Sequence, residues 1–199
     1  MSDKLQDELW IVYYRAADLI PLNLLWFVAS LPLITAIPAL GALFYATNHM
    51  AHRGSSSWRV FMEGFRRCFG LSWRWGLMTT VILGILFFLL WFYRDMDWAY
   101  PIRLLITAIL VAWIDIQLFT FPLLLEQSDQ RFRTALRNSG VIFIRWPGIA
   151  LGTSLLIALV ALPSIFLFPP AWIFLSASLC TYLSNRAVLR AISKLKAAG

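Results

Sequence analysis

The sequence predicts an all-α protein: a polytopic membrane bundle of about six spans, with two amphipathic basic helices on the cytoplasmic side. Three observations predict it. Hydrophobic residues make up 60% of the 199 positions and charged residues 14%, against roughly 45–50% and 25% in soluble domains. Mean hydropathy is +0.73, and a single domain of this length has too little interior to hide that much apolar surface, so lipid must cover part of it. The arginines, finally, gather in short connectors between apolar runs, where anionic headgroups would meet them. The net charge of +7 is therefore read as a membrane signature, with no nucleic acid as partner. Cys68 in a connector and Cys180 in an apolar run imply no disulfide framework. The opening MSDKLQDELWIVYYR mixes acids and bases and lacks the apolar stretch of a cleavable signal peptide.

The first apolar helix is expected over about 16–36 and the second, shorter, from Pro38 to about His52. One helix over 16–52 would be about 55 Å long, far beyond a bilayer of about 30 Å, so Pro32 and Pro38 are expected to break it into a hairpin. At that length 38–52 either tilts, thins the membrane or re-enters, and a re-entrant segment would leave five spans. The third span is about 76–93, the fourth about 103–125, the fifth about 147–162, ending near Pro163. The sixth is about 169–185, opening on Pro169 and Pro170, which suit a first helical turn.

Orientation follows from lysine and arginine counts. With both termini inside, 15 of the 17 cationic residues are cytoplasmic, all but Arg94 and Arg103; the five-span alternative moves Lys4 and Arg15 outside and gives 13 against 4. The positive-inside rule thus prefers six spans with both termini cytoplasmic. Trp10, Trp26, Trp58, Trp73, Trp75, Trp91, Trp98, Trp146 and Trp172 fall mostly near predicted ends, as an interfacial belt would.

Two connectors read as helices lying in the headgroup layer. In SSSWRVFMEGFRRCFG (55–70), helical spacing puts Trp58, Phe61, Met62, Phe65, Cys68 and Phe69 on one face and Arg59, Glu63, Arg66 and Arg67 on the other, with Ser56 or Ser57 as the cap. SDQRFRTALRNSGVIFIRWP (128–147) repeats the theme with Arg131, Arg133, Arg137 and Arg145. A shift of 71 residues aligns Phe65-Arg66 with Leu136-Arg137, and Arg74-Trp75 with Arg145-Trp146. The single domain, 1–199, is accordingly expected to hold a parallel repeat over 38–93 and 103–163. Arg59, Arg66, Arg67, Arg74, Arg131, Arg133, Arg137 and Arg145 are the candidate contacts to the membrane surface or a partner.

Asp115 is the candidate intramembrane site. It follows Arg103 by 12 residues and precedes Glu126 by 11, about 17–18 Å from either boundary. A carboxylate there costs at least about 2.5–3.5 kcal/mol, so it needs a partner, water or a proton. As a functional group it would serve a proton or cation, or a partner subunit. As an anchor it would bond Asn23, Asn48, Gln117, Thr153 or Ser154. Asp115, Gln117, Asn23 and Asn48 form the candidate polar set. Arg15 and Asp18, three apart, can pair at the inner interface. His49 and His52 have metal-like spacing, but no Glu-x-x-His or nearby cysteine completes a site, so neither a metal nor a cofactor is expected. No phosphate-binding loop, HExxH, GxSxG or dinucleotide-binding glycine pattern occurs, and an enzyme is not expected.

NLLWFVASLPLIT (23–35) followed by ALGALFYAT (39–47) resembles the opening of the YesL-like family of bacterial membrane proteins. FPLLLE (121–126), ALRNS (135–139) and RWP (145–147) resemble that family's second signature. Leu124-Leu125-Glu126 departs from it, since many members carry a small residue and Arg-Phe there. The family is a domain of unknown function whose members are encoded beside carbohydrate-uptake and polysaccharide-utilisation systems. The resemblance implies an accessory or assembly subunit working with carbohydrate transporter or sensor subunits, and it carries over no catalytic residue. The rival is a small transporter or channel with Asp115 at the midplane. A complete binding-protein-dependent permease is disfavoured, because the Glu-Ala-Ala loop that docks an ATPase is missing.

Overall fold

A computed structural model describes the backbone of residues 3–198 and the side chains of residues 17–196. Lys4, Trp10 and Arg15, and with Arg15 its expected pair to Asp18, lie outside the described side chains. The described chain is all-α and without strands: α1 (Asp3–Ser30), α2 (Leu33–Arg53), α3 (Trp58–Arg67), α4 (Phe69–Phe92), a 3₁₀ turn (Asp97–Ala99), α5 (Tyr100–Glu126), α6 (Phe132–Arg145) and α7 (Pro147–Phe166). A single turn, α8 (Pro169–Ala171), a π turn (Trp172–Ser176) and α9 (Ala177–Ala198) then follow with helical backbone throughout.

Three stretches are long and apolar enough to cross a membrane: Phe69–Phe92, Asp97–Glu126 and Pro147–Phe166, with mean hydropathies of 2.1, 2.1 and 2.3. Their outward faces are uncovered. Leu77, Val81, Ile85, Phe88 and Phe92 form an exposed stripe on α4, as do Leu151, Leu155, Leu159, Leu162 and Phe166 on α7. At three- and four-residue spacing each stripe is one helix face, and a bundle in water would bury it. The other long helices, α1, α2 and α9, carry polar residues that break their apolar runs. Those polar groups face inward: Asn23, Thr47, Ser178, Thr181, Ser184 and Asn185 are all buried.

The hairpin between α1 and α2 breaks at Pro32 alone. Pro32 is the extended residue before α2, and the Thr35 hydroxyl donates to the carbonyls of Ala29 (2.7 Å) and Pro32 (2.8 Å) across the turn. Pro38 lies inside α2 instead of starting it. Its missing N–H orphans one carbonyl, that of Ile34, close to the helix start, a cost the surrounding packing absorbs. The expected short helix is therefore 21 residues long, about 31 Å by the usual rise, and its length no longer calls for thinning or re-entry. The last helix was expected to end near 185 and instead runs through Arg186 and Arg190 to Ala198.

α2 is the centre of the bundle, packed by α1, α3, α4, α5 and α9. Small residues let it be approached closely: Ala39, Gly41, Ala42 and Ala46 are fully or nearly fully covered. Beside them Phe44, Trp75 and Phe121 meet with ring centroids 5.0–6.1 Å apart.

The two amphipathic helices form, with corrections in detail. In α3 only Phe61 and Gly64 of the helix, and Cys68 after it, are buried; Trp58, Met62 and Phe69 are exposed beside the arginines. Phe61 packs with Leu22 and Leu43, so α3 leans on α1 and α2 as well as presenting a free face. Ser57 occupies the cap position, but its hydroxyl makes no capping bond. α6 buries Ala135, Ser139 and Ile142, and Ser139 Oγ meets Thr120 Oγ1 of α5 at 3.0 Å.

Burial pushes the Cys68 thiol up to about 11, against the opposing pull of Arg67. Its thiolate fraction at pH 8 is then about one in a thousand, against about a quarter for a free thiol. Cys68 in the folded protein should therefore react with iodoacetamide at least about a hundredfold more slowly than in denaturant, and equal rates would place it outside the bundle. Because its folded pKa is the raised one, the unfolded chain ionises first. Between about pH 8.5 and 11, stability contributed by Cys68 falls as pH rises.

Candidate functional site

Where α2, α5 and α9 converge, a half-buried amide, Asn48, and a buried one, Asn185, gather beside one carboxylate. Asn48 and His52 are one turn apart on α2 and both reach Glu126, the last residue of α5. Asn48 Nδ2 donates to Glu126 Oε1 at 2.7 Å, and His52 Nε2 lies 2.8 Å from the same oxygen. Asn48 Nδ2 also approaches Asn185 Oδ1 at 3.2 Å. Asn185 is wholly buried, and its amide donates to the Phe44 carbonyl (3.1 Å), Thr47 Oγ1 (3.0 Å) and the Thr181 carbonyl (3.0 Å). Ser184 Oγ donates to the Leu118 carbonyl. The Glu126 side chain is 20% exposed and His52 47%, so the junction runs from the closed interior to the surface. Burying a carboxylate is tolerated when hydrogen bonds surround it, and this one has an amide and an imidazole on one oxygen.

A second polar joint ties α1 to the π turn. Asn23 is wholly buried. Its amide donates to the carbonyls of Trp172 (2.8 Å) and Ile173 (2.6 Å), and its Oδ1 accepts the Ser178 backbone N–H at 2.6 Å. A π turn shifts the backbone ladder by one residue, and such turns persist where side chains take up the displaced partners. Ser178 Oγ adds bonds to the Leu19 and Leu175 carbonyls at 2.9 and 2.8 Å.

Between these joints lies a cavity of about 330 Å³, walled by Trp26, Phe44, Trp75, Trp113, Trp172 and Gln117 among others. Its volume falls in the range of small-ligand sites, and its wall is apolar. Trp26 and Trp172 meet edge to face at 6.3 Å, and Trp75 Nε1 donates to Gln117 Oε1 at 2.8 Å. Gln117 Nε2 is buried without a partner among the described residues.

The four residues expected to make one intramembrane polar set are thus in four places. Asn23 holds the π turn, Asn48 joins Glu126, Gln117 pairs with Trp75, and Asp115 stands apart from all three. Asp115 is buried, makes no hydrogen bond or ion pair among the described residues, and is not part of the cavity wall. Two residues apart on a helix means about 200° of rotation, so Asp115 and Gln117 cannot face one point. The eight candidate arginines are all exposed. Arg67 pairs with Glu63 at 3.2 Å and Arg131 with Asp129 at 3.1 Å, while Arg59 and Arg145 lie over Trp58 and Trp146 at 5.7 and 5.4 Å. His49 turns to the Ser55 carbonyl (3.1 Å) and His52 to Glu126, so the two do not converge. Asp18 accepts the Ser56 backbone N–H at 3.3 Å and steadies the turn before α3.

Sequence reasoning missed Glu126 and Asn185. Glu126 carried a signal, as the one acid closing a 27-residue apolar helix. Asn185, beside Arg186 at an apparent helix end, carried none.

Residues 19–90 match a protein family described as protein of unknown function, DUF624. The matched segment takes in the runs 23–35 and 39–47 that carry the resemblance above, with Asn23, Asn48 and Trp75; Asp115, Glu126 and Asn185 lie beyond it. No curated protein and no solved structure matches the chain.

Proposed function

We propose that this protein is a non-enzymatic accessory or assembly subunit of the bacterial cell membrane, with both termini cytoplasmic. Its partner is a transporter or sensor component of carbohydrate uptake. The observation that carries the reading is the surface formed by α3 and the start of α4. There Trp58, Met62 and Phe69 are exposed among Arg59, Arg66, Arg67 and Arg74, and only Arg67 has a carboxylate partner among the described residues. Exposed aromatics beside unpaired guanidinium groups are the ingredients of protein-binding hot spots. The buried polar groups, by contrast, mostly hold helices to one another, as a scaffold requires. The carbohydrate link rests on the resemblance to the YesL-like family. Native mass spectrometry after gentle extraction from the host should recover a transporter or sensor subunit at fixed stoichiometry. Reproducible recovery of the chain alone would overturn the proposal.

One observation favours a second reading, transport coupled to a proton or cation: Asp115 is buried with no partner among the described residues. Asp115→Asn should then abolish an ion-dependent flux in proteoliposomes, and an unchanged flux would remove Asp115 from any such role.

A further inference from the structure

The groove between α7 and α9 carries a feature that neither reading uses. It has a volume of about 160 Å³ and is lined by Thr153 and Leu156 of α7 and by Tyr182, Leu183, Arg186, Ala187 and Arg190 of α9. Arg186 and Arg190 are one turn apart, so both guanidinium groups reach the same groove. Neither has a carboxylate partner among the described residues. Tyr182 is 9% exposed, and its hydroxyl makes no hydrogen bond among the described residues. The groove thus offers two cations and two hydroxyls, with no anion among the described residues to meet them. Its volume is about five water volumes, room for the five heavy atoms of a phosphate group.

Depth and surroundings identify what carries the phosphate. Cys180 Sγ lies against the Ile157 carbonyl, which sets the antiparallel register of α7 and α9. Counting from that level, Arg190 lies about 15 Å along α9 and Pro147, where α7 begins, about 15 Å along α7. The two guanidinium groups therefore sit within the first turns of α7, at headgroup level if α7 crosses a bilayer. From the groove, Leu155 (70% exposed), Leu156 (52%) and Leu159 (68%) continue outward along α7 toward the bilayer core. A phosphate pocket opening onto an uncovered leucine face fits a molecule that is anionic at one end and acyl at the other. We infer that the α7–α9 groove binds the phosphate of an anionic phospholipid, with Arg186 and Arg190 gripping the headgroup and its chains lying along α7. Guanidinium groups suit this role, because their forked N–H groups bond two phosphate oxygens at once.

The test titrates the full chain in mild detergent with phosphatidylglycerol or phosphatidylcholine of equal chain length, read by native mass spectrometry. Phosphatidylglycerol should bind in preference, and Arg186→Ala with Arg190→Ala should cut its bound fraction about tenfold. Lys194→Ala with Lys196→Ala removes the same charge from the same end of α9 and should leave binding within about twofold. Should the alanine pair fail to fold, Arg186→Lys with Arg190→Lys keeps the charge but loses the fork, and Tyr182→Phe removes the hydroxyl. Each should weaken binding a few-fold. Equal losses in the arginine and lysine pairs would reduce the effect to net charge and overturn the site. Displacement of the lipid by millimolar inorganic phosphate would assign the groove to a free anion and overturn the lipid.

Discussion

Replacing Asn23 with alanine is expected to lower the melting temperature of the detergent-solubilised protein by about 6–12 °C. Asn23 satisfies three backbone groups: the carbonyls of Trp172 and Ile173 and the N–H of Ser178. Each buried group left without a partner costs about 1–3 kcal/mol, and no water reaches a side chain that is 0% exposed. Buried N–H groups are left orphaned more rarely than buried carbonyls, so the Ser178 N–H is the main loss. A total near 3 kcal/mol corresponds to that shift for a chain of this size. Ser178→Ala is the control: it removes the hydroxyl bonds to Leu19 and Leu175 but leaves the N–H, and should cost about 1 kcal/mol. If Asn23→Ala and Ser178→Ala melt together, the amide does not hold the π turn.

The same substitution bears on the cavity. Trp172 belongs to the π turn and also walls the cavity, edge to face with Trp26 of α1. Three residues separate Trp26 from Asn23, so one face of α1 supplies both the aromatic contact and the amide that fixes its partner. The cavity's shape therefore depends on a polar joint one turn away. A ligand bound there would be lost together with the stability, and a screen using Asn23→Ala would report both at once.

Much of this fold was legible in the chain because lipid-facing helices write themselves as long apolar runs. The third, fourth and fifth spans fall where expected to within a few residues at one end, and the basic, aromatic stretches 55–70 and 128–147 each contain a short helix, α3 and α6. The expected boundaries fail where a proline is taken as a helix end, Pro38 as a start and Pro163 as a stop. Pro38 and Pro163 are both inside helices, since a proline near a helix end frees one carbonyl and bends nothing that packing cannot hold. The π turn was illegible because its determinant, Asn23, lies about 150 residues away in sequence. The facing of Asp115 was illegible for another reason. α5 is apolar nearly all round, so no moment tells which side meets the cavity and which meets neighbouring helices. Glu126 could have been noticed as a lone terminal acid, but its partners Asn48 and His52 arrive from α2 only through the packing of the whole bundle.

That packing turns on two glycines, and Gly41→Ala gives the sharper test because two effects oppose. Helix propensity alone favours alanine over glycine by about 1 kcal/mol at an interior position. The crossing of α2 and α4 predicts the opposite sign. A Cβ on Gly41 would overlap Ser72 Oγ and lie 2.8 Å from Ser72 Cβ and 3.0 Å from Phe121 Cζ. A rotamer change can move the hydroxyl but not Ser72 Cβ, so the helices must separate, at a cost of about 1–3 kcal/mol or more. Four residues below, the contact is repeated with the roles exchanged: a Cβ on Gly76 of α4 would enter the Ile37 side chain of α2. α4 is therefore held at glycine distance at two successive levels and cannot tilt away from one without straining the other. Gly41→Ala should destabilise the bundle, Gly41→Leu should abolish folded protein in size-exclusion chromatography, and Ser72→Gly should restore most of what Gly41→Ala loses. A coupling above about 1 kcal/mol between Gly41→Ala and Ser72→Gly in thermal unfolding would establish the contact. If Gly41→Ala stabilises the protein instead, propensity outweighs packing there, and α2 and α4 do not cross at glycine distance.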